Sequence, residues 1–178
     1  MKSGRELLAD VDWSQTKAYA VGFGGIYVNQ KGREKDGVVP AGRDTQLLKK
    51  EISEKQAGWV DEKYGESIIS KVYLQEDIFK GDRANEAPDM YVGFHHGYRA
   101  SWQTAMGAVP EELVEDNLKK WSGDHLFDPR LVPGIFFTNK FVLRDTASIY
   151  DIAPTLLKAV GYKDSEINHL DMDGRALF

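Results

Sequence analysis

The chain contains no cysteine. Disulfides and thiolate zinc sites are therefore excluded. No apolar run approaches the roughly 20 residues of a membrane-spanning helix, so no membrane segment is expected. Gly22-x-Gly24-Gly25 is the nearest approach to a phosphate loop, but it lacks the G-x-G-x-x-G spacing, and no Gly-Lys-Ser/Thr follows. A G-x-S-x-G nucleophile elbow is absent, and Ser14, Thr16, Ser101 and Thr104 have no evident activating base. An excess of positive charge is also missing. The net charge is −5 with both signs mixed along the chain, which argues against a nucleic-acid-binding face. It does not exclude a phosphate-ester substrate, because a bound cation dominates its local field. The opening, MKSGRELLADVDW, has no apolar core of the kind that marks a signal peptide, and it does not read as the start of a domain.

What is present fits a globular protein. The chain has 178 residues, 42% of them apolar and 11% aromatic, which is enough for a single domain over 1–178 with its own core. Residues 18–29 (AYAVGFGGIYVN) are strand-like at both ends with a glycine-rich middle. Residues 31–42 are polar and carry three glycines and a proline, so a loop is expected. Leu47, Leu48 and Ile52 predict an amphipathic helix over 44–60, with Asp44 as its N-cap. Strands are expected at 67–74 and 88–94, where β-branched and aromatic residues cluster. A helical turn is predicted at 76–79. A helix is expected over 110–121, where early acids and late lysines complement a helix dipole. The apolar run 132–138 predicts a strand. SIYDIAPTLLKAV at 148–160 predicts a helix, with Pro154 near its start and Gly161 just past its end. Alternating strands and helices place the fold in the α/β class.

Four histidines occur, and three of them fall in two short segments. Asp124-His125 lies in a Gly/Pro-punctuated loop directly ahead of the apolar run. Two readings stand from spacing alone: His125 as a metal ligand with Asp124 beside it or behind it, or a surface turn capped by Asp124. His95-His96 follows the strand predicted at 88–94. Neighbouring residues on a strand face opposite ways, so a shared ligand requires a turn, which Gly97 can provide. Arg99 suits bidentate binding of phosphate or carboxylate, and equally a surface ion pair.

Taken together, IYVNQKGRE (26–34), PDMYVGFHHGYRASWQ (88–103), WSGDHLFDPRLVPGIFFTN (121–139) and SIYDIAPTLLKAVGY (148–162) resemble the carboxyl-terminal part of the alkaline phosphatase superfamily. The branch they resemble is that of the type I phosphodiesterase/nucleotide pyrophosphatase-like proteins, and the similarity runs from about Asp12 to Gly174. It implies an alkaline-phosphatase-like, mostly parallel sheet flanked by helices. It also implies two divalent metals, usually zinc, and a Thr or Ser nucleophile that attacks phosphorus in line. A late His ligand in this family sits in a Gly-x-His stretch ahead of an apolar strand. Gly123-Asp124-His125 matches that stretch, so the resemblance makes His125 a metal ligand. The family's nucleophile segment and earlier ligands have no counterpart. The chain therefore reads as the carboxyl-terminal portion of a larger metallohydrolase domain, inactive alone, acting with the missing amino-terminal portion on a phosphate-ester small molecule. The resembling enzymes are often periplasmic or secreted; the chain itself leaves localisation open. Sulfatase-like and phosphoglycerate-mutase-like relatives share the His stretch and differ in the nucleophile. The competing expectation is a non-catalytic, self-standing α/β module that binds an acidic or sugar-like ligand through the loop 95–99.

Overall fold

A computed structural model describes residues 8, 11–105, 110–121, 123 and 127–178. The chain divides into two compact units, Met1–Val132 and Pro133–Phe178.

In the first unit, the glycine-rich segment folds back on itself. Strand β1 (Ala18–Val21) pairs antiparallel with β2 (Gly25–Val28), with Tyr19 opposite Tyr27. Gly22 and Gly24 turn the chain at φ 77° and 127°, values that a side chain would strain. Helix α1 (Arg43–Ala57) follows the polar loop. Its N-cap position is Gly42, without a side-chain cap, and Asp44 sits inside the first turn rather than capping it. Leu48 and Ile52 pack onto the core, whereas Leu47 stays exposed. A short hairpin joins β3 (Val60–Asp61) to β4 (Glu66–Ser67). Then come β5 (Ile69–Leu74), the single-turn helix α2 (Gln75–Ile78), β6 (Met90–Phe94) and the short helix α3 (Trp102–Ala105).

The sheet order is β1-β2-β6-β5, and every pairing in it is antiparallel. The expected mostly parallel, alkaline-phosphatase-like sheet is therefore overturned for the described residues. Side-chain periodicity identifies a strand but carries no information on the direction of its neighbour. Direction follows from the connections, and here β1 and β2 are joined by a three-residue turn, too short for the crossover that a parallel pair needs.

Alternation along the strands separates the two faces of the sheet. Ile26, Val28 and Met90 are buried with Val39, and Leu48, Ile52, Val72, Leu74 and Val92 pack around them. The opposite face carries Tyr19, Tyr27, Tyr73 and Tyr91, with the rings of Tyr19 and Tyr27 stacked 5.4 Å apart. An ion pair between Arg33 and the buried Asp89 lies just ahead of β6. Asp89 accepts from the Val28 amide at 2.7 Å and from both terminal nitrogens of Arg33, at 3.0 and 2.6 Å.

In the second unit, the helical segment expected over 148–160 starts with Ser148 as its cap. Its hydroxyl accepts from the Tyr150 amide, while the Ser148 amide donates to the Asp151 carboxylate at 2.9 Å. A single tight turn leads into α4 (Ile152–Ala159), with Pro154 inside it and Gly161 at φ 103° just beyond. A short helix, α5 (Asp164–Asn168), follows. Two expected elements are missing. Residues 110–121 form bends and irregular chain, and residues 132–138 form no strand among the described residues. Charge order along a helix contributes only tenths of a kcal/mol per pair, roughly, and cannot hold a segment whose Leu113 and Leu118 find no core. A strand needs a neighbour to bond with, and 132–138 has none among the described residues. No described helix is long and apolar enough to cross a membrane.

Candidate functional site

β6 delivers the chemistry-bearing loop. At its end the chain turns through His95, His96 and Gly97, with the Tyr98 amide donating to the His95 carbonyl at 3.1 Å and Gly97 at φ 83°. The His95 amide donates to the Ile68 carbonyl at 2.9 Å, which pins the start of the turn. The turn that Gly97 was expected to supply is thus present. The two imidazoles meet edge to face, ring centres 5.7 Å apart, and the His95 Nδ1 atom is buried without a hydrogen-bond partner among the described residues.

Tyr98 and Arg99 face a cavity of about 810 Å³. Gln56 near the end of α1, and residues of the irregular segment 110–119, also line it. Ile26, Phe94, Trp59 and Trp102 supply apolar wall. The Tyr98 hydroxyl donates to Asp61 Oδ2 at 3.0 Å. Burial, then the bond and the charge of Asp61, push its phenol up to about 12, so Tyr98 is a neutral donor at physiological pH. The Arg99 guanidinium lies over the Trp102 ring at 5.5 Å, which orients its planar fork. Asp61 and Trp102 carried no signal in the sequence beyond their residue type.

A second feature lies just past the Asp-His stretch. Phe127 bridges to Phe94 on β6, and the Asp128 amide donates to the Phe94 carbonyl at 3.2 Å. The Asp128 side chain is 0% exposed. It accepts from the Tyr73 hydroxyl at 2.9 Å, the Arg130 amide at 2.9 Å, and Arg130 Nε and Nη2 at 3.1 and 2.7 Å. The Arg130 fork, its amide and Tyr73 hold the Asp128 carboxyl far below the usual carboxylate range against the opposing pull of burial. Arg130 also reaches the Ser70 hydroxyl at 3.1 Å on β5. Asp128-Pro129-Arg130 was readable in advance as a cap followed by proline at the first helical position, and Pro129–Leu131 does form one tight turn.

No protein-family model, curated protein or solved structure matches this chain.

His125 and Asp124, the principal sequence candidates, lie outside the described residues. What the structure does place is the residue just after them. Phe127, two residues after His125, sits beside Phe94, and Phe94 immediately precedes His95. Phe127 and the His95–Arg99 loop thus share one end of β6. Among the described residues, no group of three His, Asp or Glu side chains is arranged to hold a metal ion.

Proposed function

We propose that the chain is part of a two-metal phosphoric ester hydrolase of the phosphodiesterase or phosphatase type. In this reading His125 is one late metal ligand and the β6-end cavity is part of the pocket wall. Zinc is the metal proposed, since an imidazole-and-carboxylate donor set without thiolate suits it. When bound, such a pair of ions polarises a phosphoryl oxygen. The chain's own residues do the binding work. Tyr98 presents a neutral hydroxyl, Arg99 a planar cation backed by Trp102, and Trp59 and Phe94 add apolar wall.

The observation that carries this reading is the lock at Asp128. A metal ligand on a loop needs a rigid foot, because an error of about 1 Å in its position is costly. Asp128 anchors the chain three residues beyond His125 with four hydrogen bonds, and its neighbour Phe127 bridges to Phe94, which lines the cavity. A surface turn of no consequence does not require a fully buried carboxylate to hold it.

The test is a zinc titration of the 178-residue chain by calorimetry, with a nitrophenyl phosphodiester as substrate. Expected are weak zinc uptake that falls further in His125→Ala, and no turnover. Zinc uptake indifferent to that substitution removes His125 from the metal site. Tight stoichiometric zinc with robust turnover defeats the view that other ligands and the nucleophile come from elsewhere.

A second reading, a self-standing ligand-binding module, is favoured by the cavity alone, whose volume suits a small molecule. Such a module should bury its apolar strand-forming segments. The exposed run beyond Val132 therefore weighs toward the hydrolase reading.

A further inference from the structure

A second cavity, of about 1100 Å³, lies at the Asp89 end of β6, opposite the end that carries Tyr98 and Arg99. All of its lining belongs to the first unit. Separate segments converge on it. Tyr19 and Tyr27 are cross-strand partners on β1 and β2, and the alternation of the strands sets them on the face away from the packed core. Their rings stack 5.4 Å apart at an interplanar angle of 15°. Gln46 and Lys49 come from the first half of α1, and Gln75 and Glu76 from the start of α2.

The charges around this cavity are largely paired with one another. Arg33 holds Asp89 through both terminal nitrogens, and its Nε donates to Glu34 at 2.8 Å. The buried Lys49 donates to Glu76 Oε2 at 2.5 Å. Glu86 accepts from Arg83 at 2.9 Å. An anion is therefore poorly served, because Arg33 and Lys49 are committed to carboxylates and acidic side chains outnumber basic ones on the wall. A cation meets carboxylates whose charge is offset by these partners. A purely apolar ligand would cover the Lys49–Glu76 pair and the Gln46 amide without giving them a partner, which is unfavourable.

The group that fits is neutral and both donates and accepts. A hydroxyl does so, and ammonium, carboxylate and amide all keep hydrogen-bonding positions beyond a single bond. A ring that carries hydroxyls on a C–H skeleton also has an apolar face to lay against tyrosine. Burial pushes the Tyr19 and Tyr27 phenols above their ordinary value, so both stay neutral hydroxyls at physiological pH. We propose that this cavity binds a neutral carbohydrate, with Tyr19 and Tyr27 as its aromatic wall and Gln46, Lys49 and Glu76 as its hydrogen-bonding side. Its volume lies just above the usual range of about 300–1,000 Å³ for small-ligand sites, which leaves room for more than one sugar ring. The proposal does not rest on the hydrolase reading, which concerns the cavity at the opposite end of β6.

The experiment titrates the full chain with maltotriose, cellotriose and mannotriose, read by saturation-transfer NMR and calorimetry, with glucose 6-phosphate and spermidine as charged comparators. The expected result is binding of at least one trisaccharide with a Kd of about 0.1–10 mM, tighter than either comparator. Tyr27→Ala should weaken it at least about tenfold by removing half of the aromatic wall. Gln46→Ala should weaken it about two- to tenfold by removing one amide. Gln46 is exposed on α1, so this variant should keep the wild-type unfolding midpoint and report on binding alone. Leu47→Ala, on the same helix but outside the lining, should leave affinity unchanged. No binding of any trisaccharide at about 10 mM overturns the proposal, as does affinity unchanged in Gln46→Ala or in a folded Tyr27→Ala. Tighter binding of glucose 6-phosphate marks an anion site and tighter binding of spermidine a cation site, and either result also overturns it.

Discussion

Replacing Asp128 tests whether the foot of the Asp-His segment is as firm as its geometry implies. The carboxylate takes four hydrogen bonds inside a site closed to water. In Asp128→Ala the Tyr73 hydroxyl and the Arg130 amide lose their acceptor, at about 1 kcal/mol or more each when partly buried. The Arg130 head is 54% exposed and rehydrates, so the loss of its ion pair falls below the roughly 3–5 kcal/mol of a wholly buried break. The sum is a loss of about 2–4 kcal/mol. Asp128→Asn keeps the volume and one acceptor oxygen, and should cost about 1–2 kcal/mol. Urea unfolding followed by tryptophan fluorescence measures both. Acid adds an independent readout. The carboxyl is depressed in the folded state, so its contribution is present above the unfolded value of about 4 and drains away as pH falls below it. Wild type should lose stability more steeply than Asp128→Asn below about pH 4. An alanine variant within about 0.5 kcal/mol of wild type, or superimposable acid limbs, would refute the lock.

Other perturbations probe the frame around it. Arg33→Ala strands the buried Asp89 carboxylate and should destabilise the first unit by about 2–3 kcal/mol, measured by the same unfolding assay, with Arg33→Lys recovering only part because it cannot bind in a bidentate way. Gly93→Ala should cost about 1–3 kcal/mol, since its methyl would sit 3.0 Å from Asp128 Oδ2 and 3.1 Å from the Lys71 carbonyl. Ultraviolet titration should show a tyrosine ionising near 12, and Asp61→Asn should return it toward the ordinary value because the acceptor's charge is removed. A tyrosine count at pH 11 unchanged by that substitution would show that Tyr98 does not feel Asp61.

The α1 helix, the β1–β2 turn, β5, β6 and the capped start of α4 were legible because each depends on neighbours a few residues away. Gly22 and Gly24 permit the turn, Leu48 and Ile52 define a helix face, and Ser148 with Asp151 forms a reciprocal cap. The His95–Arg99 turn was legible for the same reason, through Gly97. The cavity was not, because Asp61, Trp59 and Trp102 reach it from separate elements and no local pattern links them to Tyr98. The helix expected at 110–121 failed because favourable end charges are worth less than the tertiary burial that a short helix requires.

Residue order alone determined where the chain turns, which stretches favour helix or strand, and that thiolate chemistry is excluded. Tertiary structure decided the direction of the strands, the burial of Asp128 and Asp89 against their arginines, and the failure of 132–138 to become a strand. The division has a physical cause. Turn and helix preferences arise from steric and hydrogen-bonding terms within a few residues, whereas ladder pairing and the burial of a charge depend on segments far off in sequence, as Tyr73 and Gly93 are from Asp128.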